Sequence, residues 1–307
     1  MESESCTIPL MAKLGFLGLG LMGHPMAEHL IGAGHDVALW SHTKSKARDL
    51  AKAHKNAKYC ATPAKVGASA DFIFQCVGDS AMSEEVLTGK NGVLDGVKAG
   101  AVIADCSTIG PSTARRIAKK FEAKKAHYLD SPCTGSTPGA QSGTLTFMIG
   151  GKKKVFESAR EYFLCMGTNL YYCGKQGMGL HAKLSQNLVL CNMLQGFVEG
   201  IVLSTKAGVP PELMYEILDN SAAKAGLISF KAPAIFDRKF EAAFPLKWMK
   251  KDISLMLESG RELGVPLPNT ALVHEMFSAG VAKGYGDEDI AAAVKLFEEF
   301  AGVIVKR

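Results

Sequence analysis

Two groups of residues in the chain have the types and spacing to do chemistry. The first is Gly18-x-Gly20-x-x-Gly23, set between a short apolar run, Lys13–Leu17, and a helical pattern. Strand, glycine turn and helix in that order form a dinucleotide-binding fingerprint. Gly18 permits the tight turn, Gly20 lets backbone approach a pyrophosphate, and Gly23 lets the helix pack closely. Leu21 and Met22 lie inside the loop, where helix-start N–H groups and the macrodipole favour an anion. The second group is Gly179-x-x-x-Lys183-x-x-x-Asn187, three residues on one helix face. A glycine inside a helix costs up to about 1 kcal/mol relative to alanine, which is tolerable where a ligand comes close. Lys183 is a candidate proton donor, and Asn187, one turn on, a candidate for orienting a substrate oxygen. The plain alternative is a solvated lysine on an amphipathic helix.

Such residues need a frame. Strand patterns fall at Lys13–Leu17, Asp36–Trp40, Phe72–Val77, Ala101–Ala104 and His127–Leu129, with shorter ones at Thr144–Ile149 and Asn169–Tyr172. Helical stretches such as Met22–Ala33, Ser45–His54 and Thr113–Ala123 lie between them. Alternation of this kind predicts an α/β, doubly wound parallel sheet. After Gly174 the pattern changes. One long helix runs from Gly177 to about Lys206, followed by Gly208, Pro210 and Pro211. Helices are then expected at Pro211–Asn220, Leu246–Leu263, Asn269–Gly280 and Asp287–Phe300. The organisation is a flexible leader (1–12), a Rossmann domain (13–176) and an all-α domain (177–307) joined through the long helix.

The strand ends supply further candidates. Ser41, His42, Thr43, Lys44 and Lys46 follow the second strand, about 20 residues after the glycines, where an NAD site holds an acidic residue. Hydroxyls and lysines there suit a 2′-phosphate instead, so NADP is the expected cofactor. A polar helix start capped by Ser41 or Thr43 explains the same residues. Val77-Gly78, Asp105-Cys106-Ser107-Thr108 and Asp130-Ser131-Pro132-Cys133-Thr134-Gly135-Ser136 follow later strands, on the edge where such sheets bind ligands. Cys106 and Cys133 are expected near the cofactor.

The 307 residues suit two domains. Hydrophobic residues make up 47% and charged ones 21%, an ordinary globular balance. The net charge of +5 is mild, and Lys152-Lys153-Lys154 is its only short run, so no nucleic-acid partner is expected. No apolar stretch reads as a bilayer span, which takes roughly 20 residues. The leader has no arginine and no apolar core. The eight cysteines have no Cys-x-x-Cys spacing, and they read as reduced thiols of a cytoplasmic protein with no metal site. The long helix and the methionines of the second domain, Met249, Met256 and Met276, predict a homo-oligomer.

The chain resembles the β-hydroxyacid dehydrogenases. The marks are Gly15-Phe16-Leu17-Gly18-Leu19-Gly20-Leu21-Met22-Gly23, Asp105–Thr108, Asp130–Gly135, Gly179-x-x-x-Lys183-x-x-x-Asn187 and Phe244-Pro245-Leu246-Lys247-Trp248-Met249-Lys250-Lys251-Asp252. The last looks most like the glyoxylate/succinic semialdehyde reductase branch. The resemblance implies that Lys183 is the catalytic lysine and Asn187 its substrate-orienting partner. It implies that Thr108 contacts the cofactor and that Lys251 reaches both cofactor and substrate. Phe244 would line the substrate pocket beside Asp252, and Thr134, Gly135 and Ser136 would hold a carboxylate. It further implies reduction of a small aldehyde or keto acid by NADPH, in a homodimer or homotetramer. A 3-hydroxyisobutyrate or tartronate semialdehyde dehydrogenase is the nearest alternative, and a non-catalytic NADP-binding relative or an imine reductase the more distant ones. Two departures stand out. Thr134-Gly135-Ser136 replaces the usual Ser-Gly-Gly, implying a smaller or differently shaped pocket. His42 stands where NADP-preferring members carry arginine, with Lys44 and Lys46 close by to compensate.

Overall fold

The computed structural model describes residues 11–307, so the leader expected at 1–12 lies almost wholly outside the described residues. The chain packs as two units, one ending at Lys183 and one running from Leu184 to Arg307. The first contains β1 (Lys13–Leu17), α1 (Gly23–Gly32), β2 (Asp36–Trp40), α2 (Lys44–Ala53), β3 (Ala57–Tyr59), α3 (Pro63–Ser69), β4 (Phe72–Gln75), α4 (Ser80–Thr88), α5 (Val93–Gly96), β5 (Val102–Asp105), α6 (Pro111–Ala123), β6 (His127–Asp130), β7 (Cys133–Thr134), α7 (Ser136–Ser142), β8 (Leu145–Gly150), α8 (Lys153–Leu164) and β9 (Gly167–Gly174).

Six parallel strands lie in the order β3-β2-β1-β4-β5-β6. That is the doubly wound order, and its switch point falls between β1 and β4. β8 extends the sheet antiparallel to β6 and β7, and β9 pairs parallel to β8. Residues of period two send side chains to opposite faces. Leu14, Phe16, Leu39 and Phe74 therefore build one buried layer, and Leu17, Ala38, Ile73 and Ile103 the other. Burial on both faces explains why these strands read as continuous apolar runs. β3 and β7 carry no such run, and the sequence pattern does not reveal them.

The 29-residue helix α9 (Met178–Lys206) carries the chain from one unit into the other. The second unit then holds α10 (Pro211–Asp219), α11 (Gly226–Phe236), α12 (Leu246–Leu263), α13 (Pro268–Ala282) and α14 (Val294–Ala301), with single 3-10 turns at Tyr285–Asp287 and Ile290–Ala293. The helix expected at Asp287–Phe300 thus begins later. Asp289 instead caps the 3-10 turn by accepting the Ala291 N–H at 3.0 Å. α11 was hidden by its internal Pro233.

Two expectations need correction. α9 is long and apolar enough, by length and composition, to cross a membrane. Much of that apolar character serves the second core, where Leu194, Val198 and Ile201 pack with Ile253, Met256 and Phe277. Met249 and Met256 are likewise consumed by this core. The exposed large apolar residues of α9 are Met178 at its start and a separate stripe of Val189, Met193 and Leu203.

Candidate functional site

In the first unit the β1–α1 loop has the geometry its glycines suggest. Gly18 has φ +93°, and a Cβ there would lie 2.2 Å from the Cys76 carbonyl oxygen. A Cβ at Gly23 would lie 1.9 Å from the Gly18 carbonyl oxygen, whereas Gly20 faces open space. Met22 occupies the N-cap of α1, where no side chain caps the helix and no acidic residue lies in its first turn. Leu21 beside it is exposed. An uncapped, carboxylate-free helix start behind a tight glycine turn accepts an anion, so the loop fits the pyrophosphate of a dinucleotide.

The neighbouring strand ends converge on this loop. The Gly18 N–H donates to the Trp40 carbonyl at 3.0 Å, and the Cys76 N–H to the Leu17 carbonyl at 2.9 Å. Ser41, just beyond Trp40, is buried, while His42, Thr43 and Lys46 are exposed. Thr43 stands at the N-cap of α2 but makes no side-chain capping bond. Val77 and Gly78 are half-buried, and the Val77 N–H donates to Ser107 Oγ at 2.9 Å. That bond ties the turn after β4 to the one bearing half-buried Thr108.

A buried carboxylate that sequence reasoning assigned no role organises these turns. Asp105 Oδ2 accepts from Gln75 Nε2 at 3.1 Å, Ser83 Oγ at 2.8 Å and the Tyr128 hydroxyl at 3.0 Å. Its Oδ1 accepts the Ser107 N–H at 3.0 Å. Burial raises its pKa against the pull of the Ser107, Ser83 and Tyr128 bonds. The same burial, with the Asp105 and Asp130 charges, pushes Tyr128 far up. The network belongs to a folded scaffold rather than to proton transfer.

Past β6 the turn holds Cys133, Thr134, Gly135 and Ser136. Ser136 adopts φ +56°, a left-handed conformation that glycine takes without strain and serine does not. Cys106 is buried, and its Sγ lies 3.7 Å from Ser131 Oγ. Burial raises the Cys106 thiol well above its ordinary value and Cys133 to about 11, although the Lys183 charge opposes the latter. Both thiols are therefore poor nucleophiles.

Lys183 is 7% exposed, and its charge is felt at Cys133 on the β6–β7 turn. This is not the exposed lysine of an amphipathic helix. Gly179 has a different role from the one its spacing suggested. A Cβ there would lie 2.3 Å from the Met148 carbonyl oxygen and 2.6 Å from that of Asp130. The glycine admits strand backbone, not a ligand.

In the second unit, Asn187, Lys251 and Asp252 come together. Asn187, 1% exposed, donates through Nδ2 to Asp252 Oδ2 at 2.7 Å, and Lys251 Nζ stands 2.9 Å from Asp252 Oδ1. Phe244 lies before α12, where its N–H donates to Asp289 Oδ2 at 3.0 Å. Asp289 also takes Lys231 Nζ at 2.7 and 2.8 Å on its two oxygens in a buried pair. Lys231 and Asp289 are a second feature that carried no local sequence signal. A cleft of about 460 Å³ beside β3, lined by Lys58, Tyr59, Cys60 and Lys65, involves none of the expected site residues.

The comparisons with known proteins bear on this arrangement. Residues 13–174 match the NAD binding domain of 6-phosphogluconate dehydrogenase, and residues 177–297 the family described as NAD-binding of NADP-dependent 3-hydroxyisobutyrate dehydrogenase. 2-(Hydroxymethyl)glutarate dehydrogenase of Eubacterium barkeri is 38% identical over 95% of this chain and 97% of its own. The chain belongs to the β-hydroxyacid dehydrogenase family. As a member it is an NAD(P)-dependent oxidoreductase. Among other β-hydroxyacid dehydrogenases, the chloroplastic glyoxylate/succinic semialdehyde reductase 2 of Arabidopsis thaliana is 35% identical over 92% of this chain and 78% of its own. The 3-hydroxyisobutyrate dehydrogenase of Mycobacterium tuberculosis, solved with L-serine, superposes with a TM-score of 0.84 at 25% identity, covering 94% of this chain and 99% of that one.

Proposed function

We propose that this dehydrogenase uses NADPH to reduce a small aldehyde or keto acid of the glyoxylate or succinic semialdehyde type to the hydroxy acid, with Lys183 as general acid. The observation that carries the reading is the burial of Lys183 beside the turn that ends in Thr134, Gly135 and Ser136. A bound nicotinamide cofactor supplies the hydride. The protein supplies the rest. Gly18, Gly20, Leu21, Met22 and Gly23 receive the pyrophosphate, and Val77, Gly78 and Thr108 line the same strand edge. Thr134 and the backbone at Gly135 and Ser136 hold the substrate carboxylate. Lys183 stabilises and protonates the oxygen on which negative charge develops. Within the second unit Asn187 is held by Asp252, which orients its amide, and Lys251 pairs with the same carboxylate.

NADP is the preferred cofactor in this reading. No carboxylate follows Trp40, while exposed His42, Thr43 and Lys46 do. A charge-assisted bond to phosphate is worth about 1.5–3 kcal/mol, so kcat/KM should favour NADPH over NADH by at least about tenfold. A 3-hydroxyisobutyrate-type substrate is the second reading, supported by the family that matches residues 177–297. Both are tested by following NADPH and NADH oxidation with glyoxylate, succinic semialdehyde, methylmalonate semialdehyde and tartronate semialdehyde. Greatest kcat/KM for methylmalonate semialdehyde would select the second reading. A preference for NADH would remove the cofactor assignment.

A further inference from the structure

We propose that Asp130 is a positioning residue for this reaction: from the end of β6 its carboxylate clamps the first turn of α9 and so fixes where Lys183 stands. The proposal rests on the reading of Lys183 given above.

The first N–H groups of a helix have no partner within it and must find one elsewhere. α9 finds its partner 47 residues upstream. Asp130 Oδ1 accepts the Gly177 N–H at 2.7 Å and Gln176 Nε2 at 2.6 Å, and Oδ2 accepts the Leu180 N–H at 3.0 Å. The carboxylate is completely buried. The space around it is full, since a Cβ at Gly150 would lie 2.7 Å from both of its oxygens. Lys183 follows Leu180 by less than one helical turn. Cys133, which senses the Lys183 charge, follows Asp130 by three residues. One short segment therefore meets α9 twice, at its first turn and at its lysine.

Burial pushes the Asp130 carboxyl up to about 6, against backbone bonds from Gly177, Leu180 and Gly179 that pull it down. The other titratable or charged groups around it are Tyr128 on β6, Asp105 in register on β5, Cys173 on β9, Arg115 on α6 near Gly177, and His181 and Lys183 on α9. Protonation of Oδ2 would set an O–H against the Leu180 N–H, so the clamp is complete only in the ionised form.

The test compares wild type, Asp130→Asn, Asp130→Glu and Lys183→Ala in the full chain. With NADPH saturating, Asp130→Asn should lower kcat at least about tenfold, a modest part of the general-acid effect, with KM for the aldehyde and the Kd for NADPH little changed. Amide hydrogen exchange over residues 176–181 should be faster in Asp130→Asn. In wild type the Leu180 amide should lose protection as the pH falls through 6, and kcat should fall with it. The asparagine variant should show neither pH effect, whereas Asp130→Glu, one methylene too long for the filled site, should keep a pH effect on exchange with less protection than wild type. Wild-type kcat in Asp130→Asn, or unchanged exchange, would overturn the proposal. If Lys183→Ala stays active, the reading of Lys183 fails, while the exchange data, which need no turnover, still judge the clamp. Should Asp130→Asn not fold, the wild-type exchange titration and Asp130→Glu decide: a Leu180 amide whose protection ignores pH sinks the idea.

Discussion

Lys183 and Ser136 make the sharpest demands at the scale of single residues. A buried ammonium is costly, and a chain keeps one where it is paired, as Lys231 is with Asp289, or where it has work to do. Lys183→Ala is expected to cut kcat by about 10²–10⁴, with NADPH affinity from fluorescence titration and the melting temperature nearly unchanged. A variant retaining more than about a tenth of kcat, well short of that loss, would take Lys183 out of the mechanism. Ser136 holds a left-handed backbone in α7's first position. The strain is on the order of 1–2 kcal/mol for a residue with a Cβ. Ser136→Gly should therefore hold or raise the melting temperature, against the usual effect of adding glycine, and should lower KM for bulkier acids. A drop of several degrees in a thermal scan would contradict this. The glycine loop was legible in the sequence because its geometry is local: backbone on the adjacent strand requires Gly18, backbone within the loop requires Gly23, and Gly20 is left open. Helical spacing put Lys183 and Asn187 on one helix, and both lie in α9. Gly179 shows the limit of spacing, because what crowds it comes from Met148 and Asp130.

Strands and helices were legible wherever period and punctuation were strong, and their alternation indicated a doubly wound parallel sheet, although the short β3 escaped notice. The bonds that join elements were not. Asp130 reaches Gly177 across 47 residues and Asp289 reaches Phe244 across 45, and no local pattern announces such closures. The Asp130 clamp also has a thermodynamic signature. Its carboxyl sits at about 6 in the folded protein against an ordinary 3.8, so the folded state holds this proton more tightly than the unfolded one. The group's contribution is thus fully present below about 4 and is lost as the pH rises through about 6. The difference amounts to about 3 kcal/mol. Urea midpoints of wild type and Asp130→Asn, measured between pH 4 and 7.5, should diverge with rising pH, wild type losing stability relative to the variant. Parallel curves would show that Asp130 ionises normally.

For the whole molecule, the α9 stripe of Val189, Met193 and Leu203 predicts self-association, since Leu203 is 72% exposed and a monomer gains nothing from showing it. Sedimentation at micromolar concentration should find a dimer or tetramer, and Leu203→Glu should shift it toward monomer; a monomeric wild type would refute this. The crowding at Gly179 bears on how far the chain can be engineered. Exchanging helix glycines for alanine is a common route to heat-resistant variants, worth up to about 1 kcal/mol per site. Gly32, with nothing within 4 Å of its missing Cβ, should accept that exchange and melt higher. Gly179→Ala should melt lower and lose turnover together, because the helix must lift off the β6 and β8 backbone to admit one methyl group. A library selected for heat resistance should therefore stiffen the end of α1 at Gly32 and leave Gly23 and the beginning of α9 untouched, so durability and catalysis would be improved in different parts of the chain.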